Sequence, residues 1–453
     1  MPFEGLGEDV LLEVLLFCDI STVLGVSAIN KGLRCIALSK ELWLSLVLDT
    51  RFRDALELPP RNRERLECLS TEELIAVVKN DVAGPCSIWD PKHDESSVTM
   101  TRFQISLDDM EYIPEEYLLP GARYILLQST STTPQRLYIY DVWSAQRVWQ
   151  RSVQSAHNRK MCRVDLAPGS AIARVFFVQT VDHPSTACDS TLHVEEVDLT
   201  TGVSHELFNF SLDGMVSGVK QFDIAGDFLL ASMEHSRSIN TMAMLVLINW
   251  RASTFVSLDR NDRSFEQLIP GYIVSTYWEE NVPPYACTLT VTALEADSDH
   301  WQPLAELESN LAVQLEAGYV PPITMQERLE YNHRPLTPIS VISTPDALHA
   351  GAYNISVRGF QICERPLRPR TLIERIGNLI TRRRKASLEP QAILSYRFTP
   401  KQGQASSKLR MVSARRVSNP QQEHCPRAIT TSSGNSISVV YRQRRRQTGS
   451  DAV

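Results

Sequence analysis

Four pairs of short apolar segments recur along the middle of the chain. In each pair an alanine or glycine leads the first segment, and these segments begin at Ala122, Ala173, Gly226 and Gly271. The second segments begin at 137, 192, 245 and 289, so the unit repeats after 55, 53 and 44 residues. Periods of roughly 40–55 residues with several strands per unit are typical of the blades of a β-propeller. We therefore expect a propeller, and the alternative is an unspecific run of antiparallel hairpins.

The first 80 residues have helical periodicity instead. Val10, Val14 and Cys18 recur at four-residue steps, which predicts a first helix over 8–18. Ser21 or Thr22 can cap a second helix. The pair Ser70 and Glu73 forms a capping box, which predicts a later helix ending near residue 80. The apolar residues of this region exceed what so small a unit can bury, so we expect it to pack against something else.

These two patterns predict an α+β chain of several domains. A small helical domain covers 1–50, and a helical linker covers 51–84. A mainly antiparallel all-β domain, expected to be the propeller, covers 85–365. A basic tail covers 366–453 and is predicted to contain an amphipathic helix at 367–385, further strands and partly disordered segments.

The charge of the chain is divided between an acidic body and a basic tail. Residues 361–453 contain 19 Lys and Arg against 5 Asp and Glu, so the tail carries +14. The total of −7 then leaves −21 on the first 360 residues. A basic tail can bind nucleic acid or acidic partners or direct nuclear import. The simpler interpretation is a solubilising loop, and the charge alone does not favour nucleic acid as a partner.

Cysteine spacing, the N-terminal residues and hydropathy bear on where in the cell the protein is expected. The nine cysteines are scattered and never spaced as C-x-x-C, which indicates reduced thiols in the cytoplasm or the nucleus. The N-terminus carries Glu4, Glu8 and Asp9 without an early basic residue, unlike a signal peptide. No apolar run is long enough to span a membrane, so we expect no membrane association.

Motifs that carry chemistry are missing from the sequence. It contains no P-loop, dinucleotide fingerprint, H-E-x-x-H or G-x-S-x-G pattern. His183, Cys188 and His193 come nearest to a metal site, but their spacing fits no common zinc module. We therefore expect no catalytic residues, no cofactor and no metal, and a non-enzymatic protein.

The N-terminal segment from Leu6 to Trp43 resembles the F-box motif. That family begins with Leu-Pro and an acidic residue, continues with an apolar helix and a valine-rich helix, and closes with Leu-Trp. The positions that match in ungapped register over 38 residues are Leu6, Asp9, Val10, Val14, Leu15, Val23, Leu24, Val26, Ile29, Leu42 and Trp43. Gly7 stands where the family has proline, and Leu33 stands where many members have tryptophan. The wider chain, over roughly residues 6–300, is similar to fungal F-box proteins with a β-propeller-like region.

The resemblance implies a substrate-receptor subunit of an SCF-type ubiquitin ligase. In that family the F-box binds the Skp linker protein, and through it the cullin, while the remaining domain holds a protein substrate. The residues expected to contact the Skp linker protein, with Trp43 as the strongest anchor, are Leu6, Leu11, Val14, Leu15, Leu24, Val26, Ile29, Leu42 and Trp43.

Two other functions stay open at the level of sequence. The helices can serve only as a cap that packs on the chain's own β domain, which would make the protein an interaction scaffold. An enzyme or a nucleic-acid binder that uses the β domain or the basic tail is the third possibility. The identity of a substrate cannot be read from the sequence, because recognition loops come from distant parts of the chain.

Overall fold

The protein is described by a computed structural model. It covers residues 6–83, 115–364 and 386–415, with gaps at 57, at 59–60 and in several loops between strands, and two short strands at 428–430 and 436–438. The predicted amphipathic helix at 367–385 lies outside the described residues.

Seven helices form the N-terminal region. They are α1 Glu8–Leu16, α2 Ile20–Ser27, α3 Lys31–Ala37, α4 Lys40–Leu48, α5 Thr50–Ala55, α6 Arg63–Glu67 and α7 Thr71–Ala83. An eighth, α8 Leu307–Val313, lies among the later strands. Among the described residues, no helix is long and apolar enough to cross a membrane.

Side-chain caps set the starts of several helices. The capping box is confirmed, since Glu73 accepts from the Ser70 backbone at 2.7 Å and Ser70 accepts from the Glu73 backbone at 3.3 Å. The second helix is capped by Asp19, which accepts from the Thr22 backbone at 2.7 Å. The prediction of Ser21 or Thr22 as its cap was wrong, because the helix begins two or three residues earlier than the apolar pattern suggested.

One apolar core joins all seven helices. Leu11 and Leu15 of α1, Trp43 of α4 and Phe52 of α5 belong to it, as does Leu74 of α7. The indole Nε1 of Trp43 donates to the Ala37 carbonyl at 2.9 Å, so this buried tryptophan has its polar atom satisfied. The predicted helical domain and helical linker therefore share a single core.

The remaining described residues are mainly strands. They are β1 Glu115–Leu118, β2 Tyr124–Gln128, β3 Gln135–Asp141, β4 Gln146–Val153, β5 Cys162–Leu166, β6 Ile172–Asp182, β7 Cys188–Asp198, β8 Ser204–Leu212, β9 Val216–Ala225, β10 Phe228–His235, β11 Ala243–Asn249, β12 Thr254–Leu258, β13 Phe265–Ile269, β14 Tyr272–Glu279, β15 Tyr285–Ala293, β16 Gln302–Pro303, β17 Met325–Tyr331, β18 Leu336–Pro345, β19 Tyr353–Glu364, β20 Ala386–Thr399, β21 Lys408–Arg415, β22 Ala428–Thr430 and β23 Ser436–Ser438.

The strands form five antiparallel sheets of four or five strands, in chain order, and the pair β22–β23. The sheets run β1-β2-β3-β4, β5-β6-β7-β8, β9-β10-β11-β12 with β16 at its edge, β13-β14-β15-β17, and β18-β19-β20-β21. The four predicted strand pairs are confirmed as the two central strands of the first four sheets. The fifth sheet pairs β19 with β20 and so takes strands from both sides of the predicted boundary at 365.

Each sheet packs on the next one in the chain. Separate apolar clusters join the first sheet to the second, the second to the third, the third to the fourth and the fourth to the fifth. Side chains of the first strands add hydrogen bonds between neighbouring sheets. Asp165 accepts from the Gly226 backbone at 2.9 Å, Asp223 from Leu268 at 2.8 Å, and Gln267 from Ser343 at 2.8 Å. These bonds tie the second to the fifth sheet in series through side chains of β5, β9 and β13.

Candidate docking surface

Helix α1 is apolar on two sides. Leu11 and Leu15 point into the core. Val10, Val14 and Phe17 are spaced four and three residues apart, so they lie together on another side of the helix, where they are exposed. A helix of a globular protein normally buries one stripe and turns polar groups outward. The second apolar side of α1 therefore departs from this pattern, because it is exposed.

The next helix adds to this exposed surface. Leu24 of α2 and Ile29, which follows α2, are also exposed. We name Val10, Val14, Phe17, Leu24 and Ile29 the outer face. Their exposed fractions range from 41% for Val14 to 78% for Phe17. The described strands and loops of the β-sheet region do not cover the outer face.

The structure divides the nine predicted contact residues into two groups. Val14, Leu24 and Ile29 are exposed on the outer face, and Leu6 and Val26 are half-buried. The other four are in the core of the helical region and offer no surface to a partner in this structure, namely Leu11, Leu15, Leu42 and Trp43.

Two exposed residues of the outer face, Val10 and Phe17, are not among the nine residues that the sequence predicts as contacts. Val10 was recognised only as a match to the family pattern, and Phe17 was not singled out. The signal was present in the spacing, because Val10, Val14 and Phe17 follow one helical period while Leu11 and Leu15 follow it one position later. Two interleaved stripes on one helix indicate two apolar sides.

Acidic residues border the outer face. Glu8 and Asp9 lie in the first turn of α1, where they interact favourably with the helix dipole. Glu13 is exposed between the two valines of α1. The outer face is therefore apolar at its centre with carboxylates beside it.

The structure shows where the two departures from the family pattern, Gly7 and Leu33, lie. Gly7 precedes α1 with φ −62° and ψ 153° and provides no side-chain cap. Its backbone angle matches the value that proline fixes, and a Cβ there would meet no atom within 4 Å. Leu33 is buried in the core of the helical region. Leu33 thus acts in folding, and Gly7 leaves the entry to α1 less restricted than proline would.

Of the three residues first considered for a metal site, His193 is the one whose side chain the structure describes. His193 is buried, stacks on Phe177 and lies 3.0 Å from Glu206 through Nδ1. His183 lies outside the described residues. No group of three potential metal ligands occurs among the residues that the structure describes.

Comparison with known proteins does not identify a family for the chain. No protein-family model matches the sequence, and no curated protein matches it. Similar solved structures include an acylaminoacyl peptidase from Pyrococcus horikoshii, at 9% identity and a TM-score of 0.31, covering 70% of this chain and 48% of the peptidase. The chain thus spans about half the length of that protein.

Two further solved structures are similar to about two thirds of the chain. An endo-arabinase from Bacteroides thetaiotaomicron has 10% identity and a TM-score of 0.28, with 69% of this chain and 98% of that chain covered. The β-propeller domain of the Trilobed protease from Pyrococcus furiosus has 7% identity and a TM-score of 0.26, with coverages of 65% and 92%. Similarities this weak carry no information about function.

Proposed function

We propose that the chain is the substrate-receptor subunit of an SCF-type ubiquitin ligase, with the outer face as its docking surface for the Skp linker protein. The outer face is the observation that carries the proposal. The F-box-like register supports it, because the matching positions divide into a packed core and an exposed apolar face. Burying an exposed leucine or valine contributes roughly 1.5–3 kcal/mol, so a few such residues suffice for a stable complex.

The β-sheet region would then hold the protein substrate. We infer that its five sheets are blades of a β-propeller, because they follow one another in chain order and each packs on the next through its own apolar cluster. The chain itself would be non-catalytic. It would act by proximity, since a substrate held near the charged conjugating enzyme presents its lysines at high effective concentration. Location in the cytoplasm or nucleus is part of this proposal.

Co-precipitation tests the proposal directly. The tagged full-length chain should capture the Skp linker protein and, with it, the cullin. The double variant Val14→Asp, Leu24→Asp should lose both, because it places two carboxylates in the buried contact. Its matched control is Val203→Asp, Val320→Asp, which alters two exposed valines of the β-sheet region. Failure of the intact chain to capture the linker would overturn the proposal.

A second function has one observation in its favour. The helical region does contact the chain's own β-sheet region, because Leu348 packs against the helical core. This contact fits an interaction scaffold in which the helices serve only as a cap. The scaffold requires that the outer face bind no linker protein, so the same co-precipitation separates the two functions.

A further inference from the structure

The loop between β18 and β19 reaches the helical region. The Ser21 backbone donates to the Leu348 carbonyl at 3.1 Å. The Ala350 backbone donates to Asp19 Oδ2 at 3.0 Å. Ala347 and Leu348 pack against the apolar core of the helices. Residues more than 300 positions apart are thus joined by two hydrogen bonds and an apolar contact.

Asp19 serves both sides of this junction. Its Oδ1 accepts a hydrogen bond from the Thr22 backbone at 2.7 Å and so caps α2, while its Oδ2 accepts one from the Ala350 N–H. Burial acts to raise the pKa of Asp19, but the hydrogen bonds from Thr22 and Ala350 and the nearby His349 outweigh it and lower the pKa overall. The ionised carboxylate is the form that holds the junction.

The loop is anchored firmly to the fifth sheet. Asp346 is buried, and Arg397 of β20 donates from Nε to its Oδ2 at 2.6 Å. Its Oδ1 accepts from the Leu348 backbone at 2.8 Å and lies 3.3 Å from His349 Nδ1. A buried, charge-assisted arrangement of this kind fixes a loop in one conformation. The loop therefore meets α2 as a preformed element.

We propose that residues 346–350, named the clamp loop, fix the orientation of the helical region relative to the β-sheet region. The clamp itself rests on the contacts above, and its consequence for ubiquitin transfer rests on the proposed function. A fixed orientation keeps the outer face uncovered and holds a bound substrate at a constant distance from the linker protein. Constant geometry preserves the high effective concentration that proximity provides.

The variant Asp19→Asn tests the clamp with little change in shape. The asparagine Oδ1 still caps α2, because asparagine caps helices as well as aspartate does. Its amide nitrogen, however, replaces the Oδ2 acceptor and faces the Ala350 N–H as a second donor. Asp49→Asn is the matched control, because Asp49 caps α5 through its Oδ1 in the same way. Leu348→Ala removes the apolar contact and gives an independent second variant.

Hydrogen exchange of the full chain measures the effect. Loss of one charged hydrogen bond should speed exchange about tenfold in peptides from 20–27 and 346–352. Asp19→Asn and Leu348→Ala should both show this acceleration, and Asp49→Asn should not. Rates within twofold of the unmodified chain in both segments would overturn the clamp. This readout needs no linker protein, so failure of the clamp and failure of the proposed function are separate results.

Discussion

Replacing Phe17 should weaken binding of the Skp linker protein and leave the fold intact. The side chain is 78% exposed, so its substitution should change the stability of the chain by no more than about 0.5 kcal/mol. A phenylalanine buries roughly 150–250 Å2, and 78% of that is roughly 120–190 Å2 still available to a partner. At about 25 cal/mol per Å2 this area corresponds to about 3–5 kcal/mol as an upper limit.

Not all of that energy appears in binding, because association also restricts the side chain. We therefore expect Phe17→Ala to cost about 2 kcal/mol, which is about a 30-fold rise in Kd. Phe17→Asp should remove detectable binding, since it also buries a charge. Isothermal titration calorimetry with the purified linker protein gives the Kd, and thermal unfolding checks the fold.

The control for this experiment is Val320→Asp, at a valine of the β-sheet region that is 67% exposed. It makes a comparable change of charge away from the outer face and should leave the Kd unchanged. If Phe17→Asp binds the linker within threefold of the unmodified chain while remaining folded, the assignment of the outer face is refuted.

Three further predictions concern stability. Gly7→Pro should raise the free energy of unfolding by about 0.4–1 kcal/mol, since proline fits the existing backbone angle and restricts the unfolded chain; a lower melting temperature would contradict this. Burial raises the pKa of Asp223 to about 6, although the hydrogen bond from Leu268 acts to lower it. The unfolded chain therefore releases this proton near pH 4 while the folded chain keeps it, so the free energy of unfolding should fall by about 2–3 kcal/mol as pH rises from about 4 to 6. In urea titrations across this pH range, the free energy of unfolding of Asp223→Asn should not show this fall. The same fall in the variant as in the unmodified chain would contradict the prediction. Gly202→Ala should lower the free energy of unfolding by more than about 1 kcal/mol in urea titrations. The reason is that Gly202 has φ +75° and a Cβ there would lie 2.2 Å from the Val148 carbonyl oxygen. An unchanged free energy of unfolding would argue against this packing.

The central strands were predictable because they are buried on both faces. Such strands are continuous apolar runs, and the four predicted pairs match β2–β3, β6–β7, β10–β11 and β14–β15. The outer strands were harder to see. Strand β8 is exposed over most of its length, so its sequence has no apolar run to mark it. Its place follows from pairing with β7, which only the folded chain shows.

The candidate site was predictable as a region but not residue by residue. Helical period and family pattern located the surplus apolar residues in the first three helices. They could not decide which stripe faces the core, because Leu15 and Val14 are equally apolar and adjacent in the sequence. The packing of α3 and α4 on α1 decides it, and places Trp43 inside. The clamp loop could not be foreseen, since nothing in the sequence links Asp19 to Ala350.

The most direct test of the outer face as the docking surface is hydrogen exchange of the full chain with and without the Skp linker protein. The account predicts that the linker slows exchange in peptides from 8–29, around Val10, Phe17 and Leu24, and leaves the five sheets unchanged. Protection confined to the β-sheet region, or no protection at a linker concentration well above the measured Kd, would contradict it.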